Sequence, residues 1–290
     1  MRGNVQSCPV NRAQRIVEPS GLTMSHGTLA QWYQTMEEKY ADPRMKEYFL
    51  MDTPVPMLVT LASYIFFVNY LGPKLMENRK PFNLSTIIKI YNVAQMTCNF
   101  YLVYVSFKLV WLTDSYRYDC IEIDYSDTPM ARRKLTMVWV CFMSRLLDLL
   151  DTIFFVLRKK QKQISFLHVY HHSFVFFFGW LIAKALPGGQ VAFFGTVNSF
   201  VHGVMYGYYL VSAFDPQNKW NLWWKKYITQ LQLFQFIICG IHCTIQLCSS
   251  NCKYPQFMLY FGLSQDIFMF FLFFDFYKKT YWSTPKAKVQ

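Results

Sequence analysis

The chain has 290 residues, of which 53% are hydrophobic and 19% aromatic, while only 16% are charged. This composition and the long apolar runs exclude an ordinary soluble enzyme and indicate an integral membrane protein. The formal net charge is +12. Basic cytosolic loops alone can produce such a charge, and a basic rim that attracts a polyanionic substrate can contribute to it.

Seven stretches are long enough to cross a bilayer. A polar segment at 1–50 precedes them, with a Tyr- and Trp-rich part predicted to lie at the luminal interface, and a short basic tail at 281–290 follows. Polar residues are scattered through several spans, so a single hydropathy window is expected to miss the second, fourth and fifth. The predicted fold is an all-α integral membrane domain at 51–280, in which seven transmembrane helices form a bundle around a cytosol-open substrate tunnel. The spans are roughly 57–74, 84–112, 134–157, 166–186, 190–212, 227–248 and 256–277.

The loops between the spans alternate in charge. Basic residues follow the first, third, fifth and seventh spans, whereas residues 113–130 are rich in Asp and Glu and 187–189 read Pro-Gly-Gly. Because positive charge marks the cytosolic side, the N-terminus is predicted to be luminal and the C-terminus cytosolic. Lys286 and Lys288 have the spacing of a dilysine retrieval signal, which predicts the endoplasmic reticulum membrane.

Eight cysteines are present without a Cys-x-x-Cys pair, and most of them lie within spans. Cys120 and Cys252 differ, because both fall in loops assigned to the lumen. The lumen is an oxidising compartment. A disulfide between these two cysteines is therefore a hypothesis.

A cluster of three histidines, His168, His171 and His172, begins the fourth span. The spacing i, i+3, i+4 places them on one helix face. Asn198 and His202 share a face of the fifth span in the same way. Ionisable groups inside a bilayer are costly, so a cluster of them predicts a functional site.

Polar side chains of five spans fall at similar depths in the cytosolic half. With a helix rise of about 1.5 Å per residue, these depths agree within roughly 10 Å. A pocket open to the cytosol explains that agreement. The Arg145–Asp148 pair fits a buried ion pair as well as a catalytic role, and Asn99 and Gln235 fit hydrogen bonding between helices.

The string His-x-x-His-His permits two chemistries. Membrane di-iron desaturases and hydroxylases carry about eight histidines because two irons need many ligands, although carboxylates can substitute. This chain has six histidines, and two of them look remote from the cluster. A neutral imidazole, with an ordinary pKa near 6.5, can instead attack a thioester to give an acyl-imidazole. The histidine count favours imidazole without a metal, and metal analysis of the purified protein distinguishes the two.

Three motifs resemble those of the very-long-chain fatty acid elongases, over about residues 50–280. On the third span, that family usually has Lys-x-x-Glu-x-x-Asp-Thr, whereas this chain reads Arg145-x-x-Asp148-x-x-Asp151-Thr152. A guanidinium is not equivalent to an ammonium, so the departure leaves substrate preference open. The three motifs are Gln163-x-x-Phe166-Leu167-His168-x-Tyr170-His171-His172, Asn198-x-x-x-His202-x-x-Met205-Tyr206-x-Tyr208-Tyr209 and Thr229-x-x-Gln232-x-x-Gln235.

The resemblance implies a ping-pong condensation of a long-chain acyl-CoA with malonyl-CoA, which gives a 3-ketoacyl-CoA two carbons longer and releases carbon dioxide and CoA. His171 is then the expected nucleophile, and His202 the group that polarises or deprotonates. His168 and His172 are expected to set the tautomer. Residues expected to support the site, some of them by stabilising an enolate, are Asp148, Asp151, Gln163, Asn198, Tyr206 and Gln232.

The resemblance also sets expectations for binding. No metal and no cofactor is expected, and CoA is expected to bind at the cytosolic basic rim. The expected partners are the two CoA substrates, the bilayer, and the ketoacyl reductase, dehydratase and enoyl reductase of the elongation cycle, but no nucleic acid; the oligomeric state is left open. A seven-span receptor or channel is the competing class, which the histidine-rich cluster disfavours. The expected rim residues are Arg145, Lys159, Lys162 and Lys225.

Overall fold

The computed structural model describes residues 29–113, 116–118, 120–215, 220–249, 252 and 254–282. Within these ranges the chain is helical and contains no strand. The retrieval-like lysines Lys286 and Lys288 lie outside the described residues.

Each of the seven predicted stretches is a helix; most ends lie within three residues of the predicted ones, but the third helix begins at Pro129 rather than 134 and the sixth at Trp220 rather than 227. Two helices continue into single π-helical turns, Phe107–Trp111 and Lys278–Trp282, and a third contains one at Phe67–Leu71. An additional helix, α1, precedes the seven. The helices are α1 Leu29–Tyr40, α2 Pro54–Met76, α3 Ser85–Ser106, α4 Pro129–Leu157, α5 Phe166–Ala185, α6 Val191–Phe214, α7 Trp220–Leu247 and α8 Gln256–Tyr277.

Four helical stretches in the described residues are long and apolar enough to cross a membrane: Pro54–Met76, Phe166–Ala185, Trp223–Leu247 and Gln256–Trp282. The protein is therefore a multi-pass membrane protein. The prediction that hydropathy misses the fourth span is wrong, because the phenylalanines of α5 outweigh its histidines. Hydropathy misses α4 instead, since this helix carries an Arg and two Asp residues inside its apolar stretch.

Six of the helices pack in a closed ring in the order α3, α4, α5, α8, α7, α6, and α2 packs outside this ring against α4 and α5. The contact between α3 and α6 is the most extensive in the ring. Gly203 permits it, because a Cβ at this position would lie 3.0 Å from the Phe100 ring. The ring thus encloses one interior, to which every helix except α1 and α2 contributes.

Local signals fix where the histidine-bearing helix begins and ends. The Ser165 hydroxyl accepts the backbone N–H of His168 at 3.2 Å and caps α5, which places the three histidines in the first two turns. The turn after α5 contains Gly188 and Gly189 with φ of 112° and 62°. Glycine adopts such positive angles without steric cost.

The segment before α2 is packed into the bundle. Met45 and Met51 are fully buried and belong to one apolar cluster with Leu135 of α4 and Trp180 of α5. The predicted interfacial lead-in therefore describes this part of the segment incompletely. Residues 41–53 are continuous with the core.

A buried lysine that the sequence analysis did not identify joins α1 and the segment before α2 to α5. The Lys184 ammonium donates to the carbonyl oxygens of Met51 at 2.5 Å and Asp52 at 2.8 Å. It also pairs with the Glu37 carboxylate at 3.0 Å. All three donors of the ammonium are thereby used.

Lys184→Met is expected to lower the free energy of unfolding by about 3–5 kcal/mol, because a carboxylate and two carbonyls lose their donor. Lys46→Met is the matched control, since Lys46 pairs with the same carboxylate at 3.2 Å but is 47% exposed. Its expected effect is below about 1 kcal/mol. Thermal unfolding in detergent measures both, and equal effects would contradict the assignment.

Glu37 also predicts an acid limit to stability. Burial acts to raise the pKa of Glu37, but hydrogen bonds and charges from Lys184 and Lys46 outweigh it and lower the pKa. The stabilisation is therefore complete above the ordinary glutamate pKa of about 4.3 and is lost as the pH falls through the lowered value. We expect the unfolding temperature to decrease as the pH is lowered below about 4. In the Glu37→Gln variant, this decrease is expected to be smaller.

A disulfide joins the loop before α4 to the loop before α8. It links Cys120 and Cys252, whose Cα atoms are 5.3 Å apart across 132 residues of sequence. The two loops therefore lie at the same end of the bundle.

Candidate active site

The centre of the site is a guanidinium that joins three helices. Arg145 of α4 pairs with Asp148 at 3.0 Å, and it donates to the side-chain oxygens of Asn99 at 2.6 Å and Asn198 at 3.0 Å. It also lies 2.7 Å from His202 Nδ1. Arg145 and Asp148 are both buried, so the pair is an interior ion pair with further hydrogen bonds on both sides.

The expectation that Arg145 belongs to the CoA-binding rim is wrong. Its guanidinium is buried and occupied by acceptors of the protein. The other three expected rim residues, Lys159, Lys162 and Lys225, are exposed. Lys159 donates to the backbone oxygen of Glu77 at 3.0 Å.

Arg145 determines which groups of its neighbours remain available. Arginine can only donate, so His202 Nδ1 must accept, and neutral His202 then carries its proton on Nε2. The Asn198 oxygen is likewise used by Arg145, which leaves the amide N–H groups of Asn198 free to donate. The two residues therefore offer hydrogen-bond donors rather than a base.

Two carboxyl groups share one tyrosine hydroxyl below the guanidinium. Tyr206 Oη lies 2.7 Å from an oxygen of Asp148 and 2.7 Å from an oxygen of Asp151. Gln95 donates to the same Asp148 oxygen at 2.5 Å, and Tyr91 Oη lies 3.1 Å from Tyr206 Oη. One hydroxyl proton satisfies only one carboxylate, so the second contact requires a proton on a carboxyl group.

His168 is anchored by hydroxyl groups rather than by another histidine. Its Nε2 lies 2.9 Å from Thr152 Oγ1, which lies 2.8 Å from the hydroxyl of Tyr64. The ring centroids of His168 and His172 are 4.2 Å apart. The histidine cluster is thus assembled as predicted, but His168 contacts His172 and not His171.

His171 is the histidine of α5 that lines the interior cavity. Its ring meets His172 edge-on at 5.5 Å between centroids and Phe273 of α8 at 6.1 Å. Among the described residues, no hydrogen bond engages its imidazole nitrogens.

The interior of the helix ring contains a cavity of about 280 Å³. Arg145, His171 and Asn198 line one end, and Gln190 and Tyr254 line the other. The walls between them are mostly apolar. Such a cavity suits a long apolar chain whose reactive end is held by polar groups.

Three glutamines of the family-like motifs, Gln232, Gln235 and Gln163, lie outside the hydrogen-bonded centre of the site. Gln232 lies near Met205 Sδ at 3.7 Å, and Gln235 lines the cavity with no hydrogen-bond partner for its Oε1 among the described residues. The expectation that Gln235 bonds a neighbouring helix is therefore wrong, whereas Asn99 does so. Gln163 is exposed in the loop before α5, so the structure does not bring it into the cluster.

Tyr91 was not identified from the sequence. Tyr91, Gln95 and Asn99 recur every four residues along α3. Gln95 and Asn99 contact Asp148 and Arg145 directly, and Tyr91 contacts the Tyr206 hydroxyl. Such spacing places them on one helix face. The sequence therefore predicts this row of polar side chains on one face of α3, but it does not predict which helix the row faces.

Within the described part of the chain, no three His, Cys, Asp or Glu side chains are arranged to hold one metal ion. The Asp148 oxygens are occupied by Arg145, Gln95 and Tyr206. A metal there would have to displace these contacts.

Comparison with known proteins identifies relatives over most of the chain. The model of the GNS1/SUR4 (ELO) family matches residues 49–289. A very long chain fatty acid elongase of Aedes aegypti is 42% identical over 87% of this chain and 70% of its own length. Very long chain fatty acid elongase 7 of Drosophila melanogaster is 40% identical over 86% of this chain and 75% of its own. Human very long chain fatty acid elongase 1 is 40% identical over 84% of this chain and 87% of its own length.

Proposed function

Because the chain belongs to the GNS1/SUR4 family of fatty acid elongases, we propose that it is the condensing enzyme of elongation. It joins a long-chain acyl-CoA to malonyl-CoA and gives a 3-ketoacyl-CoA two carbons longer. The observation that carries the proposal is the apolar cavity with His171 at its polar end. An acyl chain in the cavity presents its thioester to this imidazole.

In the first half-reaction, an unprotonated nitrogen of His171 attacks the thioester carbonyl. The N–C bond forms, the C–S bond breaks, and the CoA thiolate leaves with the proton that the imidazole loses. The product is an acyl-imidazole whose chain remains in the cavity. His168 and His172 position His171 through the ring contact between His172 and His171.

In the second half-reaction, malonyl-CoA loses carbon dioxide, and the electrons of the broken C–C bond form an enolate. The enolate attacks the acyl carbonyl, the N–C bond breaks, and the leaving imidazole takes one proton from water, which restores neutral His171. Both half-reactions develop negative charge on oxygen. The N–H groups of His202 and Asn198, held by Arg145, are the donors placed to stabilise it.

The proposed setting is the endoplasmic reticulum membrane, crossed by all seven helices α2 to α8. The N-terminus is luminal and the C-terminus cytosolic, as the basic loops indicate. Exposed lysines near the cytosolic ends of α4 and α7 then meet the CoA phosphates. They are Lys159, Lys162 and Lys225.

Expression in an elongase-deficient host tests the proposal. Membranes are expected to convert acyl-CoA to a 3-ketoacyl product only when malonyl-CoA is supplied, with equal release of carbon dioxide. A desaturated or hydroxylated product that depends on oxygen would instead support the di-iron alternative. Absence of malonyl-dependent product across a range of acyl chains would contradict the condensing function.

A further inference from the structure

Two buried polar groups stand at the end of the cavity that is remote from the histidines. Gln190 is fully buried and Tyr254 is 5% exposed, and both line the cavity. Among the described residues, Gln190 Oε1 and Tyr254 Oη have no hydrogen-bond partner. Buried polar groups are almost always bonded, so these two require an explanation.

The backbone places the two residues close to each other. Tyr254 packs against Gly189, where an added Cβ would lie 3.1 Å from the ring, and Gln190 follows directly in sequence. The Gln190 amide nitrogen lies 3.5 Å from the disulfide sulfur of Cys252. The disulfide thus ties the segment that carries Tyr254 to the rest of the bundle at this end.

The chemistry of this end favours a neutral partner. An amide and a phenol both donate and accept, so together they complement a hydroxyl group. Arg145 is the one cation of the described residues that lines the cavity, and it lies at the opposite end. A carboxylate would therefore find no counter-charge at the end lined by Gln190 and Tyr254.

The distance to the reacting end can be estimated from α6. Gln190 precedes His202 by 12 residues, which is about 18 Å of helix. An extended chain with C–C bonds of about 1.5 Å advances about 1.25 Å per carbon. Roughly 14 carbons therefore separate the acyl carbonyl from the end of the cavity at Gln190.

We propose that Gln190 and Tyr254 form a binding site for a hydroxyl group at the ω end of the acyl chain. The inference rests on the proposed function, because it requires an acyl chain that extends from His171 along the cavity. It makes ω-hydroxy acyl-CoA a substrate class of this protein. The site acts only on chains long enough to reach it.

The test compares ω-hydroxy with plain acyl-CoAs of about 12 to 20 carbons in malonyl-dependent elongation. We expect the ratio of kcat/KM, hydroxylated over plain, to peak at one chain length near about 14 to 18 carbons. Tyr254→Phe and Gln190→Met are each expected to lower that peak about tenfold, the effect of one lost hydrogen bond to a buried group. Any loss of packing in the cavity affects the plain substrate of the same length equally and cancels in the ratio, whereas the lost hydrogen bond lowers only the hydroxylated rate.

Tyr260→Phe is the matched control. Tyr260 lies on α8, a helix that contributes to the cavity wall, but its side chain is 61% exposed. This replacement is expected to leave the ratio unchanged. If Gln190→Met fails to fold, Tyr254→Phe still tests the hydroxyl site, because it removes only one oxygen atom and keeps the aromatic ring. Plain chains that are not elongated would overturn the proposed function itself.

A ratio that does not vary with chain length would overturn the inference while the proposed function stands. Equal losses for the plain and hydroxylated substrates in Tyr254→Phe and Gln190→Met would likewise overturn the inference and leave the proposed function standing. An ω-carboxy chain of the peak length is expected to be a poorer substrate than the hydroxylated one. A preference for it would also overturn the hydroxyl site.

Discussion

His171→Ala is expected to lower kcat/KM for condensation by more than about 1,000-fold, because it removes the nucleophile of both half-reactions. His171 is the member of the α5 cluster that lines the cavity, and no hydrogen bond of the described residues engages its ring. His202→Ala is expected to cost less, about 100- to 1,000-fold, as the loss of one donor to a developing oxyanion does. Malonyl-dependent release of carbon dioxide measures both.

His242→Gln is the matched control for His171. His242 stacks on Phe193 with 3.8 Å between ring centroids, and it does not line the cavity. Its replacement is expected to leave the condensation rate within a few-fold of the original. A His171→Ala protein that is folded and as active as this control would contradict the role of His171.

Arg145→Met is expected to lower kcat by about 100- to 1,000-fold, because His202 and Asn198 lose the contact that orients their donors. It is also expected to destabilise the fold by about 3–5 kcal/mol, since Asp148 remains buried without its cation. Arg145→Lys retains the charge, but an ammonium cannot reproduce the planar fork that reaches Asn99, Asn198 and His202 together. We therefore expect it to be nearly as stable as the native protein and to lose mainly kcat rather than KM.

The double replacement Arg145→Lys with Asp148→Glu distinguishes orientation from charge. It restores the pair that the elongase family usually has, and the longer carboxylate can follow the ammonium. We expect the double variant to recover kcat relative to Arg145→Lys alone. Full activity of the single variant, or no recovery in the double variant, would contradict the orienting role.

The helices and the histidine cluster were readable in the sequence, because each depends on local signals. The apolar runs set the helix lengths, Ser165 caps α5, and the spacing of His168, His171 and His172 places them on one face. Helix rise also predicts that Asn198 and His202 lie at a depth similar to that of the α4 charges.

Partners across helices were not readable, because spacing along one helix does not identify the neighbouring helix. The charge of Arg145 could be read from the sequence, but its burial depends on Asn99 of α3 and Asn198 of α6. Lys184 looks like an ordinary end-of-helix lysine until residues 37–52 fold over it. Gln163 lies in a familial motif but is held outside the cluster by the loop that precedes α5.

A trapped intermediate tests the central claim most directly. The purified protein is incubated with a long-chain acyl-CoA in the absence of malonyl-CoA and examined by intact-mass and peptide mass spectrometry. We predict one acyl group per chain, located on the peptide that contains His171, with one equivalent of free CoA released. No adduct, or an adduct that persists in His171→Ala, would contradict the acyl-imidazole mechanism.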